Sequence, residues 1–176
     1  MGTMAPAGPD LKACADGEIL FFQGEPDTRL YRLVGGKVLL YTLFQKPRII
    51  AVVKESQFFG FAPLCSGYHL FNAEAVGAAR VETFEYDSKD HVFLKSYYTG
   101  LCRDLQQYGR EELWGKPETE AAEMWRLVSE LHTFKEPFLV RFFPFQTVTN
   151  TLKTWVSEKK IQPDRQKGSY RLVKEP

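Results

Sequence analysis

Two residues in this chain have types and spacing that metal chemistry would use. Cys65 and His69 lie four apart in the irregular stretch FFGFAPLCSGYHLFN, where a thiolate and an imidazole could share an ion. No second Cys/His cluster completes a ligand set, so a buried thiol and a satisfied loop histidine are expected instead. The three cysteines, Cys14, Cys65 and Cys102, form no CxxC pair and are too scattered for a disulfide framework. No metal and no cofactor is expected. Catalysis has no better support. His69, His91 and His132 fall in different elements, and GxxxxGK[ST] and HExxH are absent, as is a nucleophile elbow with its Ser–His–Asp or Cys–His set. Glu111–Glu112 and Glu118–Glu120 read as solvated helix surface. The chain is not expected to be an enzyme. The polar residues of Gln146 and the run TVTNTLKTWVSEKKIQPDRQKGSYRLV read first as the exposed face of a helix, although their types also suit nucleic-acid contact. Gln146 and Asn150 can bond adenine bidentately, whereas Thr147, Thr149 and Lys153 suit phosphate. Lys159, Lys160, Arg165 and Lys167 would add phosphate contacts.

Charge points the same way, weakly. Residues 135–176 carry nine Lys/Arg against four Asp/Glu, a net +5, while residues 1–134 carry a net −4. A basic tail on a mildly acidic body suits an anionic partner, although a solvated face would look alike. The 176 residues are 44% hydrophobic and 26% charged, a soluble globular balance. Fourteen Phe, eight Tyr and three Trp supply a core without staples. No apolar run approaches the ~18 residues of a membrane span, and MGTMAPAGPD lacks a signal-peptide hydrophobic stretch. A cytoplasmic protein without a membrane partner is expected.

The elements that must position these residues change character along the chain. From Gly17 to Asp87, short apolar runs alternate with turn signals: Glu18–Phe22, Leu30–Val34, Lys37–Thr42, Arg48–Val53, Ala73–Ala79 and Val81–Tyr86. Gly35–Gly36 predicts a hairpin turn. Many short strands with turns every eight to twelve residues predict an antiparallel barrel or jelly roll. None of the first four strands contains a His, unlike a metal-dependent barrel enzyme. At Ser88 the period shifts to helical. Leu94, Tyr98, Leu101, Leu105 and Tyr108 are spaced 4, 3, 4 and 3, a heptad-like seam that predicts pairing with a second copy. Gly115–Lys116–Pro117 ends that helix. A second amphipathic helix is predicted from Pro117 to about Phe134, a strand over Pro137–Phe143, a third helix over Gln146–Lys159 and a last strand over Ser169–Val173.

In this order, GEILFFQGEPDTRLYRLVGGKVLLY, ESQFFGFAPLCSGYHLFNAEAVGAARVETFEYD and the C-terminal run resemble the cAMP-receptor-protein and FNR family of bacterial transcription regulators. The resemblance covers nearly the whole chain from Gly17. It implies an α+β protein: a cyclic-nucleotide-binding-like jelly-roll sensor (10–87), a dimerisation helix (88–116) and a shortened winged-helix DNA-binding domain (117–176). It also implies an effector pocket at Gly60, Phe61, Leu64, Cys65, Tyr68, His69, Asn72 and Ala73. Two departures matter. Family members that bind cyclic nucleotides carry a Glu after the pocket Gly and an Arg followed by Ser or Thr. Here Phe61 follows Gly60, and Asn72–Ala73 stand where the Arg and hydroxyl belong. Burying a phosphate without a cation is costly, an amide does not replace a guanidinium, and Arg80 is too far along the strand. The second departure is that about a dozen residues of the helix that should support the recognition helix are missing. Either Phe142, Phe143 and Phe145 pack beneath the recognition helix in its place, or the module is degenerate.

The resulting expectation is a homodimeric DNA-binding regulator controlled by an unidentified small effector other than a classical cyclic nucleotide. The competing class is an effector-sensing or interaction protein that kept the barrel and lost DNA binding. The short segment before Gln146 favours the competitor; the basic tail favours DNA.

Overall fold

The computed structural model describes residues 10–43, 47–60, 62, 67–85, 119–166 and 168–173. The chain divides into two compact units, an N-terminal one of residues 1–44 and 49–115, which carries nearly all of the N-terminal strand residues, and a C-terminal one of 116–176 together with 45–48.

The N-terminal unit holds eight strands among the described residues. They are β1 (Asp10–Cys14), β2 (Ile19–Phe21), β3 (Arg29–Gly35), β4 (Val38–Thr42), β5 (Arg48–Val53), β6 (Phe58–Phe59), β7 (Asn72–Ala75) and β8 (Ala79–Glu85). They form two four-stranded sheets, ordered β1-β8-β3-β6 and β2-β7-β4-β5. Both sheets contribute to one core: Leu30, Leu33, Phe59 and Val81 from the first, Phe21, Val38, Leu40, Ala73 and Ala75 from the second. This is the jelly-roll arrangement, in which inward side chains of two antiparallel sheets interdigitate.

Three expectations change here. Gly36 does take a positive φ of 85°, but Gly35–Gly36 is not a hairpin turn. β3 and β4 lie in different sheets, and the glycine marks a corner where the chain crosses between them. A Cβ on Gly36 would lie 2.3 Å from the Ala78 carbonyl oxygen, so backbone packs where any side chain would sit. The run Ala73–Ala79 is not one strand. β7 stops at Ala75, a bend over 76–78 follows, and β8 starts at Ala79 in the other sheet. β1, which pairs along its whole length with β8, was not anticipated.

The C-terminal unit contains α1 (Glu120–Leu131), β9 (Thr133–Lys135), α2 (Glu136–Val140), α3 (Phe145–Ser157), β10 (Ile161–Pro163) and β11 (Ser169–Leu172). Thr119 caps α1, its hydroxyl accepting from the Ala122 N–H at 3.1 Å, and Glu120 and Glu123 sit at the positive end of the helix dipole. The strands form an antiparallel sheet ordered β10-β11-β9. Met124, Leu127, Val128 and Leu131 from α1 are buried, as are Val148, Leu152 and Trp155 from α3. Trp125 meets Trp155 edge-on at 4.9 Å.

The strand predicted over Pro137–Phe143 is absent. Its place is taken by α2, followed by a turn in which the Phe142 and Phe143 N–H groups both reach the Leu139 carbonyl. Alternating Phe138, Val140 and Phe142 imitates a strand, while Pro137 stands in the first helical turn, where no N–H is needed. A short element therefore does precede α3. Leu139 and Phe143 are buried, but Phe145 is not packed beneath the helix: it is 61% exposed.

Candidate functional site

The N-terminal unit brings some of the expected pocket residues together and gives them partners that the sequence did not suggest. Gly60 has φ +79°, and the Tyr31 ring fills the space a Cβ would occupy. Asn72 is buried at the start of β7, and both ends of its amide are engaged by backbone. Its Oδ1 accepts from the Gln23 N–H at 3.0 Å, and its Nδ2 donates to the Tyr41 carbonyl at 3.2 Å. Ala73 is fully buried between Phe21 and Leu40. The Asn72–Ala73 pair thus supplies neither a cation nor a free hydroxyl. Arg80 lies along Gly35 at the β3–β4 corner. Tyr68 is exposed and bridges to Pro26. Phe61, Leu64 and Cys65 lie outside the described residues.

His69 is the chemically distinctive member. It is 2% exposed, and its ring stacks on Phe21 at 3.6 Å. Its Nε2 faces Asp27 Oδ2 at 3.1 Å. The same carboxylate accepts the Tyr31 hydroxyl, the Arg29 backbone N–H at 2.9 Å, and the Arg29 guanidinium through Nε at 2.9 Å and Nη2 at 3.1 Å. Burial pushes the Asp27 carboxyl up, but the bonds from Arg29, Tyr31 and His69 outweigh it and hold the group below the usual carboxylate range. Burial, reinforced by the Asp27 bond, pushes the Tyr31 phenol up. Burial also pushes His69 down, and this prevails over the pull of Asp27. At neutral pH the ring is therefore uncharged and donates from Nε2, leaving Nδ1 as an acceptor. That Nδ1 is buried and has no partner among the described residues. Such an atom costs free energy unless a donor reaches it. Asp27, Arg29 and Tyr31 escaped the sequence reading, although their i, i+2, i+4 spacing leading into a strand was a usable signal.

Among the described residues, no three His, Cys, Asp or Glu side chains gather as a metal site. Cys14 is a buried free thiol whose burial pushes its pKa up.

In the C-terminal unit α3 sorts the expected nucleic-acid residues by face. Gln146, Asn150 and Lys153 are exposed at i, i+4 and i+7, on one stripe opposite Val148, Leu152 and Trp155. Thr147 is turned away, its hydroxyl donating to Glu120 Oε2 of α1 at 3.0 Å. Thr149 is half-buried, and its hydroxyl oxygen has no partner among the described residues. Lys159 and Arg165 are exposed, while Lys160 is paired with Glu158 and lies over Trp125. Lys167 lies outside the described residues, as does the seam Leu94, Tyr98, Leu101, Leu105 and Tyr108.

The comparisons agree with this architecture. Residues 11–95 match the family model described as the cyclic nucleotide-binding domain. Solved structures that superpose over most of the chain include transcriptional regulators of the CRP/FNR family. One such regulator, from Thermus thermophilus, superposes with a TM-score of 0.67 over 94% of each chain at 19% identity. FixK2 from Bradyrhizobium japonicum gives 0.63 over 96% of this chain and 94% of its own, at 16% identity. The c-di-GMP-responsive global regulator CLP from Xanthomonas campestris gives 0.66 over 95% of each, at 12% identity. At these identities the likeness is one of fold. No curated protein matches in sequence. No helix among the described residues is long and apolar enough to cross a membrane.

Proposed function

We propose that this chain is a DNA-binding transcriptional regulator of the CRP/FNR type. In this reading residues 10–87 sense a small effector, 88–116 form the dimerisation helix of a homodimer, and 117–176 bind DNA as a shortened winged helix. The observation that carries the proposal is the α3 stripe of Gln146, Asn150 and Lys153. Two amides and an ammonium stand in line on a helix without a single carboxylate, beside exposed Lys159 and Arg165. Amides read adenine edges, and ammonium groups neutralise phosphate. The element order helix, strand, helix, helix, strand, strand is that of a winged helix-turn-helix, with α2 in the supporting position. The effector is not a classical cyclic nucleotide. Asn72 is bound to backbone, Ala73 has no polar side-chain atom, and Arg29 is already neutralised by Asp27. A ligand with a hydrogen-bond donor would satisfy His69 Nδ1. Effector binding acts as a switch to the extent that it differs in affinity between two states of the dimer.

A titration against a pool of duplexes at two salt concentrations tests the reading. Lys153→Ala should weaken all sequences evenly and lower the salt slope by about one unit. Asn150→Ala should relax preference at one base position, costing about 1–3 kcal/mol there. Micromolar cAMP or cGMP should change neither titration. The length of α2, five residues, favours the second reading, a sensor that no longer binds DNA. Failure of every duplex to bind at low salt would select it.

A further inference from the structure

We propose that Phe145 is a specificity-determining residue that reads a thymine by packing on its C5-methyl group. The assignment rests on the DNA-binding reading of α3 and deepens it.

Phe145 is the first residue of α3 and is 61% exposed. The core beneath the helix closes without it. Phe143, two residues earlier, is buried, and Val148, Leu152 and Trp155 supply the buried stripe. A large aromatic side chain is thus left on the surface at the leading end of the helix, where the fold does not require it. It immediately precedes Gln146, the first residue of the polar stripe. In helix-turn-helix docking the N-terminal residues of the second helix reach the base edges. The major groove presents a single apolar feature, the thymine methyl, and Phe is among the side chains that contact it. Thr147 and Thr149 do not compete for this role, because one is held by Glu120 and the other is half-buried.

The surroundings select DNA over an apolar protein partner. No carboxylate occurs between Phe145 and Ser157, and Lys153 is exposed on the same helix. Residues 135–176 carry a net +5. An apolar side chain set in a basic field complements a polyanion that offers isolated methyl groups.

The test uses the full chain and the tightest duplex from the pool, with each thymine replaced in turn by uracil, which removes only the methyl. At one position the parent should lose about fourfold in affinity, the worth of one buried methyl. Phe145→Ala should bind the thymine duplex more weakly and show no further loss with uracil at that position. Phe145→Leu should retain part of the discrimination. Circular dichroism and the thermal midpoint should match the parent, since the side chain is outside the core. Binding that survives Phe145→Ala with every uracil effect intact would overturn this assignment and leave the DNA reading standing. Self-association of the parent that Phe145→Ala abolishes would also overturn it, placing the ring in a contact between copies. Absence of binding by the parent to any duplex would overturn both.

Discussion

Asp27 concentrates the polar chemistry of the N-terminal unit, taking hydrogen bonds from Arg29, Tyr31 and His69 on one carboxylate. This makes stability depend on acid in a defined direction. His69 is depressed below its ordinary value in the folded protein, so the unfolded chain takes up a proton first as pH falls below about 6.5. Stability is complete above that pH and declines below it, with a limiting slope of about 1.4 kcal/mol per pH unit. The Asp27 contribution persists through this window, because a depressed carboxyl loses its advantage only below the usual carboxylate range. Urea unfolding between pH 7.5 and 5.0 should show the decline, and His69→Gln should flatten it. A parent curve with no slope in that interval would show that the ring is not held neutral. His69 was visible in the sequence as a loop histidine. Its acid partner, 42 residues earlier, was not, because backbone hydrogen bonds between segments distant in sequence, 24–27 and 67–69, bring the two side chains together.

At the scale of elements, period decided what could be read. β5 has the bounds that its apolar run suggested, and β3, β4 and β8 differ by a residue or two, as does α3. α2 was misread because five residues hold barely more than one turn, too short to display a helical period. Glycines at the corners do what no other residue can. Gly36→Ala would force a Cβ against backbone at 2.3 Å from a residue with φ +85°, and neither the Ala78 carbonyl nor the chain at Ala79 can yield cheaply. The substitution should cost about 3 kcal/mol or more, measured by urea unfolding. An unchanged midpoint would mean that the β3–β4 corner can rearrange.

For the whole molecule, the proposed dimer is the property most open to test. The seam Leu94, Tyr98, Leu101, Leu105 and Tyr108 is expected to bury against its two-fold mate, the commonest closed symmetry. Replacing Leu101 and Leu105 with Glu should convert the protein to monomers in sedimentation, and a parent that is already monomeric would remove the proposal. The residues alone determined two segments, one strand-rich and one helix-rich, and a basic C-terminal tail. These follow from local periods and composition, which a linear string carries. The tertiary structure alone decided which strands are neighbours, placing β3 and β4 in opposite sheets although two residues separate them. It also decided that Asn72 is consumed by Gln23 and Tyr41, that Asp27 meets His69, and that Phe145 is left outside the core. Each of these depends on which sheet face or helix flank closes against another. That choice is made by the packing of side chains distant in sequence, and no local pattern records it.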